Sequence, residues 1–66
     1  MLKALDFKVL RKMTGLSQKE FAEKSGLSYS YVTKIEQGIR TLLPWVDSTI
    51  RVKFKKEYDE LMDSKK

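Results

Sequence analysis

The stretch Leu16-Ser17-Gln18-Lys19-Glu20-Phe21-Ala22-Glu23-Lys24-Ser25-Gly26-Leu27-Ser28-Tyr29-Ser30-Tyr31-Val32-Thr33-Lys34-Ile35-Glu36-Gln37-Gly38 decides the fold. Ser17 and Glu20 have the S-x-x-E spacing of a capping box, in which each side chain satisfies an otherwise orphaned amide at a helix start. Phe21 and Ala22 follow as inward positions of a short helix that ends near Ser25, with Gly26 as its stop. Ser28 opens the next helix as a polar N-cap. Val32 and Ile35 form its apolar stripe, and Gly38 ends it. Two short helices therefore flank a tight turn at Ser25, Gly26 and Leu27. Gly26 can take a positive φ there at little steric cost. Ala22 is small where the helices would cross, and Leu27, Val32 and Ile35 fill the wedge between them.

Working outward, Phe7, Leu10 and Met13 recur at helical spacing with Lys8, Arg11 and Lys12 between them. They predict a helix over Leu5 to Thr14, stopped by Gly15. On the other side, Leu42 and Leu43 precede Pro44, the sole proline, which suits the first turn of a helix. Val46, Ile50, Phe54 and Tyr58 recur every four residues and Leu61 follows. This predicts one helix, or two with a break near Lys55. Ile50, Val52 and Phe54 also alternate with Arg51 and Lys53, which is a strand pattern over 49–54. Helix is preferred, because Asp47, Glu57, Asp59, Glu60 and Met62 extend the helical tract. Asp63 to Lys66 are expected to fray. The chain thus reads as a single domain over 1–62, with a helix-turn-helix at about 17–37 and a tail at 63–66.

Composition narrows the function. A chain of 66 residues allows one small core. It has no Cys and no His, which removes disulfides, thiolate chemistry, the commonest general base and the commonest metal ligand. Neither a glycine-rich phosphate loop nor paired carboxylates in a plausible pocket are found, so no enzyme, metal, cofactor or small-molecule ligand is expected. Fourteen Lys and Arg against nine Asp and Glu give a charge of +5, which favours a polyanionic partner. No apolar run reaches the length of a membrane span, and Met1 to Met13 mixes charges into its apolar residues, unlike a signal peptide. A cytoplasmic location is expected.

The turn and its two helices make the arrangement in which a second helix lies in the major groove of DNA. The segment resembles the Cro and phage-repressor type of helix-turn-helix family. The resemblance begins at Leu10-Arg11 and is strongest at Gly15-Leu16-Ser17-Gln18, Phe21-Ala22, Gly26-Leu27-Ser28 and Ile35-Glu36-Gln37-Gly38. It implies an all-α, lambda-repressor-like bundle of four or five helices. It also implies that Gln18 bridges the DNA backbone and the recognition helix, and that Ser28, Tyr29, Ser30, Thr33 and Lys34 face the groove. Arg40 matches a phosphate-facing loop. Arg11 and Glu36 match a structural salt bridge between the first and third helices.

Residue chemistry agrees with these roles. Positions 29, 30, 33 and 34 share one polar helix face opposite Val32 and Ile35. Lys34 can donate to guanine or phosphate, and Thr33 can offer its methyl to thymine or its hydroxyl to a base edge. Ser28 and Gln18 sit at helix N-termini, where amides and dipole favour a phosphate oxygen. Plainer roles exist beside these. Ser17 and Ser28 cap helices with or without DNA, Tyr31 packs, and Lys19 and Lys24 are solvated surface.

The C-terminal part departs from the family. Pro44 comes six residues after Gly38, where the family places its proline two or three after the turn. Trp45 is left with two roles, a core plug or an exposed anchor for a second subunit. The leading expectation is a sequence-specific DNA-binding transcriptional regulator, a repressor of phage or mobile-element type acting as a homodimer on double-stranded DNA. Tyr29, Ser30, Thr33 and Lys34 would read bases, and Gln18, Ser28 and Arg40 would hold the backbone. The alternative is a protein-binding module of the same shape that modulates another regulator. The lack of Asn or Gln on the recognition face leaves room for it.

Overall fold

In the computed structural model, which describes residues 2–65, α1 runs over Ala4–Thr14 and stops where Gly15 turns left-handed, with φ 74°. Next, α2 spans Gln18–Ser25 and α3 spans Tyr29–Glu36. The chain then crosses to α4, Pro44–Lys53, with Pro44 in the first turn as its missing amide proton allows. The last helix, α5, spans Lys55–Ser64. Asp63 and Ser64, read from sequence as part of a fraying tail, lie inside α5; Lys66 is outside the described residues.

No strand forms among the described residues, so the alternation over 49–54 is decided for helix. Ile50 is wholly buried while Val52 is 77% exposed. The expected break near Lys55 falls at Phe54, whose φ of −127° and ψ of 49° turn the chain. Hydrogen bonding continues through the bend. Phe54 N donates to Ile50 O at 2.8 Å, and Phe54 O accepts from Tyr58 N at 2.8 Å. The bend keeps the Phe54 ring on the core, stacked on Phe21 with centroids 4.7 Å apart. Phe21 in turn meets Phe7 edge-on at 5.3 Å, a favoured aromatic geometry.

One core joins all five helices. Phe7, Leu10, Phe21, Ala22, Leu27, Val32, Ile35, Val46, Ile50, Tyr58 and Leu61 are buried in a single cluster with Leu2 and Leu42. Around it, α2 packs on α3 and α4, α1 on α3 and α5, and α4 on α5. The expected inward positions Phe21, Ala22, Leu27, Val32 and Ile35 are all here. Trp45 is not. The inward side of α4 is already taken by Val46, Asp47 and Ile50, and Trp45 stands 56% exposed.

Two carboxylates tie the ends of the chain to this core. Asp6 accepts from the Lys3 amide at 3.1 Å and pairs with Lys65 at 2.9 Å. Burial alone would push its carboxyl up, but the Lys65 ammonium and the Lys3 amide together hold it below its ordinary value. Asp47, buried in the first turn of α4, accepts from the Leu2 amide at 2.8 Å and from the Tyr58 hydroxyl at 3.0 Å.

Burial, followed by the bond to Asp47, raises the Tyr58 phenol above its usual value of 10.0. The raised group favours the fold while protonated. That contribution is complete below the unfolded value and is lost as pH rises through the folded one. Tyr58→Phe should therefore cost about 1.5–3 kcal/mol at neutral pH by removing one of the two donors to the Asp47 carboxylate. It should also flatten the fall in stability above pH 10. Urea titrations of both proteins across that range measure both effects.

Candidate nucleic-acid interface

Each recognition element is closed by bonds that its own sequence supplies. At the start of α2, Ser17 Oγ accepts from Glu20 N at 3.1 Å and Glu20 Oε1 accepts from Ser17 N at 3.0 Å. The expected capping box is complete, and the Ser17 amide, followed by the Ser17 hydroxyl, holds the exposed Glu20 carboxyl below its ordinary value. At the turn, Gly26 has φ 75°, and Leu27 N reaches back to Ala22 O at 3.0 Å. Ser25 Oγ donates to Phe21 O at 2.6 Å. Ser28 Oγ then accepts from Tyr31 N at 3.0 Å and caps α3. The angle between α2 and α3 is thus set by backbone bonds and by the buried wedge of Leu27, Val32 and Ile35.

The four positions read as groove-facing come together on one side of α3. Tyr29 is 54% exposed, Ser30 is exposed, and Thr33 and Lys34 are half-buried at its edge. Thr33 Oγ1 donates to Ser30 O at 2.8 Å. While that bond holds, the hydroxyl can only accept, and the methyl is its other offering. Tyr31 points the other way. It packs on the core cluster, and its hydroxyl donates to Thr41 O at 3.3 Å.

Glu36 ties α1, α2 and α3 together. Its carboxylate accepts from Arg11 Nε at 2.7 Å, Arg11 Nη2 at 3.1 Å and Gln18 Nε2 at 3.1 Å. Arg11 Nη1 also donates to Leu16 O at 3.0 Å. The salt bridge implied by the resemblance is present, with side-chain exposures of 14% for Arg11 and 3% for Glu36. Gln18 must turn its amide nitrogen toward Glu36, because an ionised carboxylate only accepts. Gln18 is also the first residue of α2. The sequence did not reveal that Gln18 is held by Glu36, although both residues stood in the quoted stretch.

Arg40 lies on the exposed loop beyond α3, and the loop is pinned. Lys34 O accepts from Ile39 N at 2.9 Å and from Arg40 N at 3.2 Å. The Tyr31–Thr41 bond holds its far side. Arg40 is thereby attached to the helix that carries the four outward side chains. The pinning role of Tyr31 was not legible in the sequence, since its partner is a backbone carbonyl. Lys19 and Lys24 are exposed, as expected of solvated surface. Among the described residues no acidic cluster could hold a metal ion, and no helix is long and apolar enough to cross a membrane.

A family model described as helix-turn-helix matches residues 7–44. That span takes in most of α1, all of α2 and α3, and the pinned loop to the first residue of α4. No curated protein and no solved structure matches the chain.

Proposed function

The chain belongs to the helix-turn-helix family of Cro and phage-repressor type, and from that membership we propose that it represses transcription by reading duplex DNA with α3. The family supports a DNA-binding regulator. The repressor role and the base-reading residues are the proposal. The observation that carries it is the set of polar groups on α3 and tied to it. Tyr29, Ser30, Thr33 and Lys34 stand on α3, the capped N-termini of α2 and α3 flank them, and Arg40 is tethered to the same helix through Lys34 O. In this reading Gln18, Ser28 and Arg40 grip phosphates and set the register, and the four side chains of α3 touch base edges. The protein acts as a homodimer, one recognition helix per half-site, in the cytoplasm where the DNA is.

Selection from a random duplex library should return a two-fold symmetric motif, and affinity for it should fall steeply with salt through counterion release. Lys34→Ala should cost about 1–3 kcal/mol and relax the preference at one base position. Arg40→Ala should weaken all duplexes alike and reduce the salt slope by about one. No salt-dependent duplex binding would reject the reading and leave a protein-binding module of the same shape.

A further inference from the structure

Trp45 is the chain's one tryptophan, and it stands 56% exposed on a helix whose far end carries Val52 at 77%. With 3.6 residues per turn, Val46 and Ile50 mark the inward side of α4, and Trp45, Ser48, Thr49 and Val52 fall on one outward stripe. The stripe has relief. Ser48, Thr49, Val52 and Lys53 line a shallow depression of about 320 Å³. Thr49 turns its hydroxyl onto its own helix, donating to Trp45 O at 2.8 Å, so its methyl is free to face outward. The outward side of α4 therefore carries a protruding indole near one end and a largely apolar hollow near the other.

We propose that this face is the seam between two copies of the chain, with two α4 helices antiparallel about a two-fold axis between Ser48 and Thr49. Each Trp45 then seats in the hollow of the second copy, against Val52 and Lys53. The reason to name a second copy is self-complementarity, which an isologous interface demands. Positions 45 and 52 are equidistant from the midpoint of 48 and 49, so an antiparallel pair sets knob against hollow twice. The charges agree. Lys53 comes to the face of the opposing indole, a favourable cation–π contact, and the two Lys53 ammoniums lie toward opposite ends of the seam. The face is small. Five side chains of one helix fall short of the roughly 800 Å² per partner of a stable complex. The seam is therefore weak in free solution and strong only when two copies are held side by side, as on adjacent half-sites. That last clause rests on the proposed function; the seam itself does not.

A single tryptophan and the absence of cysteine make the seam directly readable. As protein concentration rises from the micromolar to the millimolar range, Trp45 emission should move to shorter wavelength in step with a mass approaching twice the monomer's. Ser48→Cys should cross-link to itself under mild oxidation, and Lys19→Cys should not. Adding Trp45→Ala to Ser48→Cys should abolish the cross-link while circular dichroism keeps its helical signal. Monomer mass with constant emission at millimolar protein would overturn the seam. So would a dimer undiminished by Trp45→Ala. On DNA, Trp45→Ala should keep the affinity for a single half-site and lose about tenfold or more on a paired site. Failure of every variant to bind any duplex would reject DNA reading and leave the concentration series to judge the seam.

Discussion

Arg11→Ala should destabilise the protein by about 3–5 kcal/mol, the cost of leaving a buried charge without its partner. The Glu36 side chain is only 3% exposed. Without the guanidinium it would keep the Gln18 amide as its one remaining partner of those seen. Leu16 O would lose a donor as well. A chain of this length has about 3–10 kcal/mol to lose, at roughly 0.05–0.15 kcal/mol per residue. A measurable unfolded fraction at ambient temperature is therefore expected, before any question of DNA arises. Urea titration gives the number, and an unchanged midpoint would contradict the role assigned to the pair. Replacing Arg11 and Glu36 together by methionine should recover much of the loss, since both charges go at once. Duplex binding should stay impaired in that double variant, because Gln18 has lost the carboxylate that aims it.

Phe21→Ala should cost about 3–5 kcal/mol, within the range for emptying a buried aromatic site. Phe21 is wholly buried and touches Phe7 on one side and Phe54 on the other. It thus links α1, α2 and the bend between α4 and α5. The surrounding helices cannot close over the gap without moving the bend. Phe21→Leu, which keeps most of the volume, should lose clearly less. Thermal unfolding followed by circular dichroism separates the two, and equal losses would place the strain elsewhere.

The parts legible in the sequence were those written in short spacings. Ser17 and Glu20 are three residues apart, and their reciprocal bonds need nothing from the rest of the chain. The same holds for Ser28 and for the left-handed glycines after α1 and α2. The Arg11–Glu36 pair spans 25 residues, and only the family resemblance brought it into view. Asp47 was beyond reach. An acid in the first turn of a helix reads as a complement to the helix dipole, and its partners lie 45 and 11 residues away. A break near Lys55 was legible, but its seat at Phe54, which is neither Gly nor Pro, was not. Trp45 remained open because exposure depends on whether the inward side of α4 is already full, which is a property of the packed molecule.

The bonds that shape the recognition region pass through backbone atoms, caps and Glu36. Lys34 holds the Arg40 loop with its carbonyl, leaving its side chain out of that task. Tyr29, Ser30 and Lys34 contribute no side-chain bond to the α2–α3 turn, and Thr33 bonds only within its own helix. On the proposed reading, a lineage of such chains can change which operator it recognises by point substitution at these four places, with little penalty to folding. Two copies of the gene could diverge toward separate targets while sharing one scaffold.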